Sequence, residues 1–107
     1  MILTGCKLCH EEIWGSSTSP DGKWTATIIM RDCGATTDEV VSLNVHRAGD
    51  TEYKAENNAI VINHGYAPGP LWQGTDILLV ACQGCTRKDV ISTAAQVGPI
   101  RIVNQIR

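Results

Sequence analysis

The alternation of apolar and polar side chains between Glu39 and Arg47 constrains the fold more than any other feature of this chain. Val41, Leu43 and Val45 fall on one face of an extended segment, and polar residues alternate with them. Because successive side chains of a β-strand point to opposite faces, this period of two predicts a strand with one buried face. Helical spacing is weak along the chain, so the pattern favours a β fold.

Other segments also have the composition of strands. β-Branched residues are frequent in Trp24–Met30, which would form a hairpin with the strand described above, and the most apolar stretch is Asp76–Cys82. Shorter strands are predicted at Ala59–Asn63, Asp89–Ser92 and Val97–Ile106, and the turn-rich stretches are 15–23, 48–57 and 64–70. We therefore predict a mainly β fold: an antiparallel sheet of five to seven strands, of meander or sandwich type, with at most one short helix.

The composition indicates a single globular domain. The chain has 107 residues, of which 43% are hydrophobic and 19% charged, as is typical of a folded domain. No apolar run approaches the ~18 residues of a membrane span. The formal net charge of −2 argues against a nucleic-acid-binding surface, which needs clustered basic side chains. We predict an N-terminal segment at 1–14 and one β-rich domain at 15–107.

The five cysteines allow several interpretations. The first two stand in a C-x-x-C-H motif, which is typical of covalent haem attachment, although the sequence shows no clear distal ligand. Together with Cys82 and Cys85 they would make a four-thiolate zinc site, at a much longer spacing than usual. In an oxidising compartment, Cys82 can instead pair with Cys85, and Cys9 with Cys33. We favour structural bridges over thiol catalysis, because the second C-x-x-C follows a strand rather than opening a helix.

Cys6 is a candidate for a separate role. It follows Leu3, Thr4 and Gly5, a small-residue pattern that precedes the acylated cysteine of bacterial lipoproteins. A full signal also needs a basic region and a longer apolar stretch ahead of this pattern. Lipidation of Cys6 would leave four thiols for two bridges, which fits the odd number of cysteines.

Two motifs resemble those of a known family. Ser19–Trp24 reads S-P-D-G-K-W, and Arg31–Thr37 reads R-D-C-G-A-T-T. Together they resemble a family of small bacterial proteins without an assigned activity. Many members are envelope lipoproteins or secreted proteins, and some are encoded in integron gene cassettes, which are mobile elements. The resemblance covers most of the chain, from about residue 9 to residue 106.

The resemblance implies a compartment and bears on the role of Cys9. Members carry a cysteine just before an acidic and apolar start, which Cys9 matches. This implies either that Cys9 pairs with Cys33 or that it corresponds to the lipidated position of the relatives. Cys82 and Cys85 depart from the family pattern, so the resemblance implies no role for them. It implies a bacterial envelope or secreted location, and it offers no substrate.

Four further residues are candidates for binding. Arg31 and Asp32 would form an anion-binding pair, or else belong to a structural loop. Tyr66 and Trp72, each close to a proline, would line an aromatic groove, or else seal the edge of a small core. His46 lies on the polar face of its strand and is predicted to be exposed. The sequence shows no catalytic constellation, so we predict no catalytic residue, metal ligand or cofactor.

These observations lead to two functional hypotheses. The first is a non-enzymatic β-rich protein of the bacterial envelope or secreted space, which binds an unidentified protein or small-molecule partner. It expects no nucleic acid, contacts a membrane only through a lipid anchor, and allows a homodimer through an exposed edge strand. The alternative is a cytoplasmic zinc-binding or thiol-redox protein that uses the Cys6/Cys9 and Cys82/Cys85 pairs.

Overall fold

The computed structural model describes residues 9–34 and 39–106. Cys6, the lipidation candidate that also belongs to the haem and zinc interpretations, lies outside the described residues. The described strands are β1 (His10–Thr18), β2 (Trp24–Asp32), β3 (Val40–Arg47), β4 (Asn58–Ile62), β5 (Gly69–Trp72), β6 (Ile77–Ala81), β7 (Val90–Thr93), β8 (Gln96–Val97) and β9 (Ile100–Asn104). Single 3-10 turns lie at Ala55–Asn57 and Arg87–Asp89. Within the described residues, no helix has the length and apolar character needed to cross a membrane.

The strands form two sheets. The larger sheet is antiparallel in the order β1-β2-β3-β4-β7, and the smaller has the order β5-β6-β9-β8, with β6 and β9 parallel. The prediction of a mainly β fold with an antiparallel sheet and at most one short helix is confirmed. The larger sheet has five strands, within the predicted five to seven, and the smaller sheet adds four strands among the described residues. The additional strands include β5 and β8, only four and two residues long, which lie in stretches predicted as a loop or as part of one longer strand.

The two sheets enclose one apolar core. Val41, Leu43 and Val45 on β3 are fully buried, as their alternation predicts. Leu43 and Val45 belong to one cluster with Leu78 and Ile100 of the smaller sheet. Each such side chain stabilises the fold by about 1.5–3 kcal/mol relative to exposure. The inner face of the larger sheet therefore packs on the core, and the outer face of this sheet points away from the core.

β1 is longer than the sequence predicts. The turn was expected over 15–23, but Gly15–Thr18 continue β1 and pair with β2, so this strand also crosses the predicted boundary between residues 14 and 15. A shift of register at Trp14 marks a β-bulge. The turn itself is confined to Ser19–Lys23, where the Ser19 hydroxyl accepts from the backbone N–H of Trp24 and donates to Asp21.

β5 also begins inside a predicted loop. The prolines and glycines of 64–70 argued against regular structure, yet Gly69 and Pro70 pair with β6. β5 lies at the edge of the smaller sheet. An edge strand tolerates proline, because one side of it has no partner strand that needs the missing N–H.

The connection between β6 and β7 is cross-linked and capped. Cys82 and Cys85 form a disulfide there, and the 3-10 turn at Arg87–Asp89 follows directly. The Asp89 carboxylate accepts from the backbone N–H of Thr86 at 2.8 Å and lies 2.8 Å from His64 Nδ1. Both interactions hold the pKa of Asp89 below its usual range, and the hydrogen bond from Thr86 has the larger effect.

This carboxylate predicts a loss of stability in acid. A pKa that is lower in the folded state contributes stability at neutral pH, and the contribution disappears as the pH falls below the ordinary aspartate value of about 4. Asp89→Asn should therefore flatten the fall in melting temperature between neutral pH and about pH 3, measured by circular dichroism. Thr86→Ser keeps the N–H and the hydroxyl and should retain the wild-type profile. An Asp89→Asn profile as steep as that of the wild type would contradict the assignment.

Candidate functional site

The outer face of the larger sheet carries two buried polar side chains of β3. Asn44 and His46 are only 1% and 5% exposed. The prediction that His46 is exposed to solvent is wrong, because the connection formed by residues 48–57 folds over it. Tyr53 of this connection packs edge-on against the imidazole, with ring centroids 5.0 Å apart.

The hydrogen bonds of His46 fix its ring. Nδ1 lies 2.9 Å from the carbonyl oxygen of Arg47, and Nε2 lies 2.7 Å from the Thr27 hydroxyl. Because a carbonyl can only accept, Nδ1 donates to it, and in the neutral ring Nε2 accepts from Thr27. Both ring nitrogens are occupied, so the imidazole is a fixed surface for Tyr53.

Asn44 holds the other end of the connection. Its Nδ2 donates to the carbonyl of Lys54 at 2.8 Å and to Oδ1 of Asn58 at 2.7 Å. Its Oδ1 is buried without a hydrogen-bond partner among the described residues. An unsatisfied buried acceptor costs about 1–3 kcal/mol. The two hydrogen bonds that Nδ2 donates are therefore the contribution of this side chain to the structure.

A pocket of about 550 Å³ opens on this face of the sheet. The strands and the connection both contribute apolar and polar residues to its lining. The lining residues are Glu11, Ile29, Arg31, Val40, Ser42, Thr51, Glu52, Tyr53, Ala55, Asn58 and Val61. A smaller depression of about 380 Å³ lies against the same connection and shares Thr51 and Glu52 with it.

An ion pair stands at one side of the pocket. Glu11 on β1 lies directly opposite Arg31 on β2 in the ladder. The Nε and Nη2 atoms of Arg31 donate to Oε2 of Glu11 at 2.9 and 2.6 Å. Both side chains are about half exposed, so we expect the pair to contribute about 0–1 kcal/mol to stability. Its main effect is to neutralise the guanidinium.

Of the four predicted binding residues, only Arg31 lines this pocket. Asp32 accepts from the backbone N–H of Gly34 at 3.2 Å, as a structural loop residue does. Trp72 packs against the core and donates its indole N–H to the carbonyl of Ser17 at 2.9 Å, which ties the smaller sheet to β1. Tyr66 also packs against the core. The structure therefore does not bring Tyr66 and Trp72 together with Arg31.

The cysteines form two bridges. Cys9 is bonded to Cys33 and links the ends of β1 and β2, and Cys82 is bonded to Cys85. In the described part of the chain, no group of three or more histidine, cysteine, aspartate or glutamate side chains is arranged to hold a metal ion.

Sequence reasoning missed most of the pocket. Glu11 lies in the predicted N-terminal segment, and Glu52 and Tyr53 lie in the predicted polar connection. Asn58 falls between that connection and the next predicted strand. The clearest signal was available for Glu11: once β1 is recognised as a strand, its register with β2 places Glu11 opposite Arg31. Tyr53 is the only aromatic residue of an otherwise polar stretch, which is a weaker signal.

We compared the chain with family models, with curated proteins and with solved structures. None of them matches. The resemblance to the bacterial envelope family therefore stays a prediction.

Proposed function

We propose that this protein is a non-enzymatic, disulfide-stabilised binding domain that holds its ligand in the pocket on the outer face of the larger sheet. The pocket carries the proposal. Its volume of about 550 Å³ lies in the ordinary range for small-molecule sites, about 300–1,000 Å³. Ile29, Val40 and Val61 lie on strands that the core fixes from behind, and polar side chains of the strands and of the connection complete the lining. A combination of apolar surface and a few polar groups is usual in a recognition site.

The chemistry of the site supports binding rather than catalysis. A catalytic hydroxyl such as that of Ser42 would need a base within hydrogen-bond distance. Glu52 lines the same pocket, but the Ser42 side chain forms no hydrogen bond with it or with any other described residue. His46 lines the neighbouring depression, but Thr27 and the carbonyl of Arg47 occupy its two ring nitrogens. Arg31 is neutralised by Glu11. The hydrogen bonds of His46 and the ion pair of Arg31 therefore fix the positions of these two side chains.

We place the protein in the bacterial envelope or in the secreted space. Two disulfides are compatible with an oxidising compartment and unusual in a reducing one. The family resemblance supports the same location, with Cys6 as the candidate for a lipid anchor. The exposed side chains of Ile13 and Trp14 on edge strand β1 allow a homodimer there.

An intact-mass measurement separates this proposal from the zinc or thiol-redox alternative. Protein exported to an oxidising compartment should lose four hydrogens relative to the reduced chain and keep one alkylatable thiol among the five cysteines. A native mass that carries zinc, with all five thiols alkylatable after denaturation, would overturn the disulfide proposal in favour of a metal-binding protein.

Binding at the pocket is tested by filling it. Val61 is half-buried in the lining, so Val61→Trp should abolish the amide shifts that a small-fragment library produces around the pocket in NMR spectra. Val103→Trp adds the same bulk at an exposed position of β9 and should leave those shifts in place. Both variants must keep the wild-type spectrum elsewhere. Fragments that bind Val61→Trp as they bind the wild type would contradict the proposal.

A further inference from the structure

The charged side chains that line the pocket leave an excess of negative charge. Three charged side chains line it: Glu11, Arg31 and Glu52. The first two form the ion pair, with Nη2 of Arg31 2.6 Å from Oε2 of Glu11. Glu52 has no hydrogen bond or ion pair with any described residue. The charge left for a ligand is therefore a carboxylate.

The rest of the lining suits an aliphatic chain that ends in a cation. Ile29 on β2 and Val61 on β4 lie opposite Ser42 of β3, on either side of it. Val40 is two residues along β3 from Ser42, and the three apolar side chains line the pocket together. Tyr53, whose ring is held by His46, stands next to Glu52 in the sequence and also lines the pocket. Aromatic faces attract ammonium and guanidinium groups, and carboxylates bind them directly.

We propose that the pocket binds an organic cation carried on an aliphatic chain, either an alkyl diamine or the basic side chain of a peptide. The methylene groups would lie on the apolar residues and the cationic head between Glu52 and Tyr53. This inference rests on the proposed function, since it names the ligand class of the same pocket.

Other ligand classes fit the lining less well. An anion would meet two carboxylates, and the one guanidinium is already engaged by Glu11. A neutral polyol would find hydrogen-bond partners at Ser42, Thr51 and Asn58. It would still lay other hydroxyl groups against Ile29, Val40 and Val61, and it would carry no charge to pair with Glu52.

A matched series of five-carbon probes tests the ligand class. Cadaverine, pentanediol and glutarate have the same chain with cationic, neutral and anionic ends, and Nα-acetyl-lysine methylamide presents the cation as a peptide does. In an NMR titration of the whole protein, cadaverine, the lysine derivative or both should shift the amides of residues 51–53 and 61, with a Kd on the order of 1 mM. Which of the two binds more tightly identifies the source of the cation. Binding should weaken as salt is raised.

Two glutamates of the same connection give a matched pair of variants. Glu52→Gln should weaken binding of the better cationic probe about fivefold, the effect of one exposed charge pair. Glu56 lies on the 3-10 turn and does not line the pocket, so Glu56→Gln should leave the Kd unchanged.

The outcomes separate this inference from the proposed function. If pentanediol or glutarate binds at the pocket as well as cadaverine, or if Glu52→Gln binds the cation as tightly as the wild type, the ligand class is wrong and the pocket stands. If no probe of any charge and no fragment shifts the pocket amides, both proposals fall.

Discussion

Replacing Cys9 and Cys33 together by serine should lower the free energy of unfolding by about 3 kcal/mol. The bridge spans 24 residues, and closing a loop of that length restricts the unfolded chain by about that amount. Both cysteines are exposed, so the serines themselves add no burial penalty. Denaturation by guanidinium chloride, followed by fluorescence of the tryptophans, measures the difference under non-reducing conditions.

The second bridge supplies the control. Cys82 and Cys85 are only 3 residues apart, so replacing both by alanine should cost less, about 2 kcal/mol. Alanine is chosen because Cys85 is buried in the core. Adding a reductant to the wild type should reproduce the combined losses. If the variant lacking the Cys9–Cys33 bridge unfolds at the wild-type denaturant concentration, that bridge is not a structural element.

The position of this bridge connects it with the binding site. Cys9 and Cys33 flank the first pair of the β1–β2 ladder, His10 with Asp32, and the next pair is Glu11 with Arg31. β1 is an edge strand with a partner on one side only. Loss of the bridge should therefore loosen the ion pair beside the pocket as well as the whole domain.

The strands that bury a face were predictable from local pattern. Val41, Leu43 and Val45 repeat with the period of a strand, and the structure buries all three. β1 was missed because its side chains are nearly all exposed, so its sequence shows no apolar face. Its residues become a strand by pairing with β2, which is a long-range interaction that composition does not show.

The site was less predictable, for the same reason. His46 alternates with the core residues of β3 and so was correctly assigned to the other face, but that face is covered by a connection that pattern analysis treats as solvent-exposed. The pocket joins Glu11 and Arg31 with residues of the connection. Only the three-dimensional path of residues 48–57 brings them together.

Asn44→Asp should be the most damaging single change at the site, lowering the free energy of unfolding at neutral pH by at least about 3 kcal/mol. The substitution keeps the shape of the side chain and removes both donors. The carbonyl of Lys54 and Oδ1 of Asn58, at 2.8 and 2.7 Å, would then face a buried carboxylate. We expect faster hydrogen exchange in residues 48–57 and weaker binding of any ligand that uses Tyr53.

Asn104→Asp adds the same charge at an exposed position of β9 and should change stability by less than about 0.5 kcal/mol. Acid supplies a second control. Protonation of the new carboxyl returns one donor and removes the buried charge, so the deficit of Asn44→Asp relative to the wild type should shrink as the pH falls. If Asn44→Asp matches Asn104→Asp in stability and in hydrogen exchange, the amide of Asn44 does not hold the connection. The contact between His46 and Tyr53 would then be what positions the connection beside the pocket.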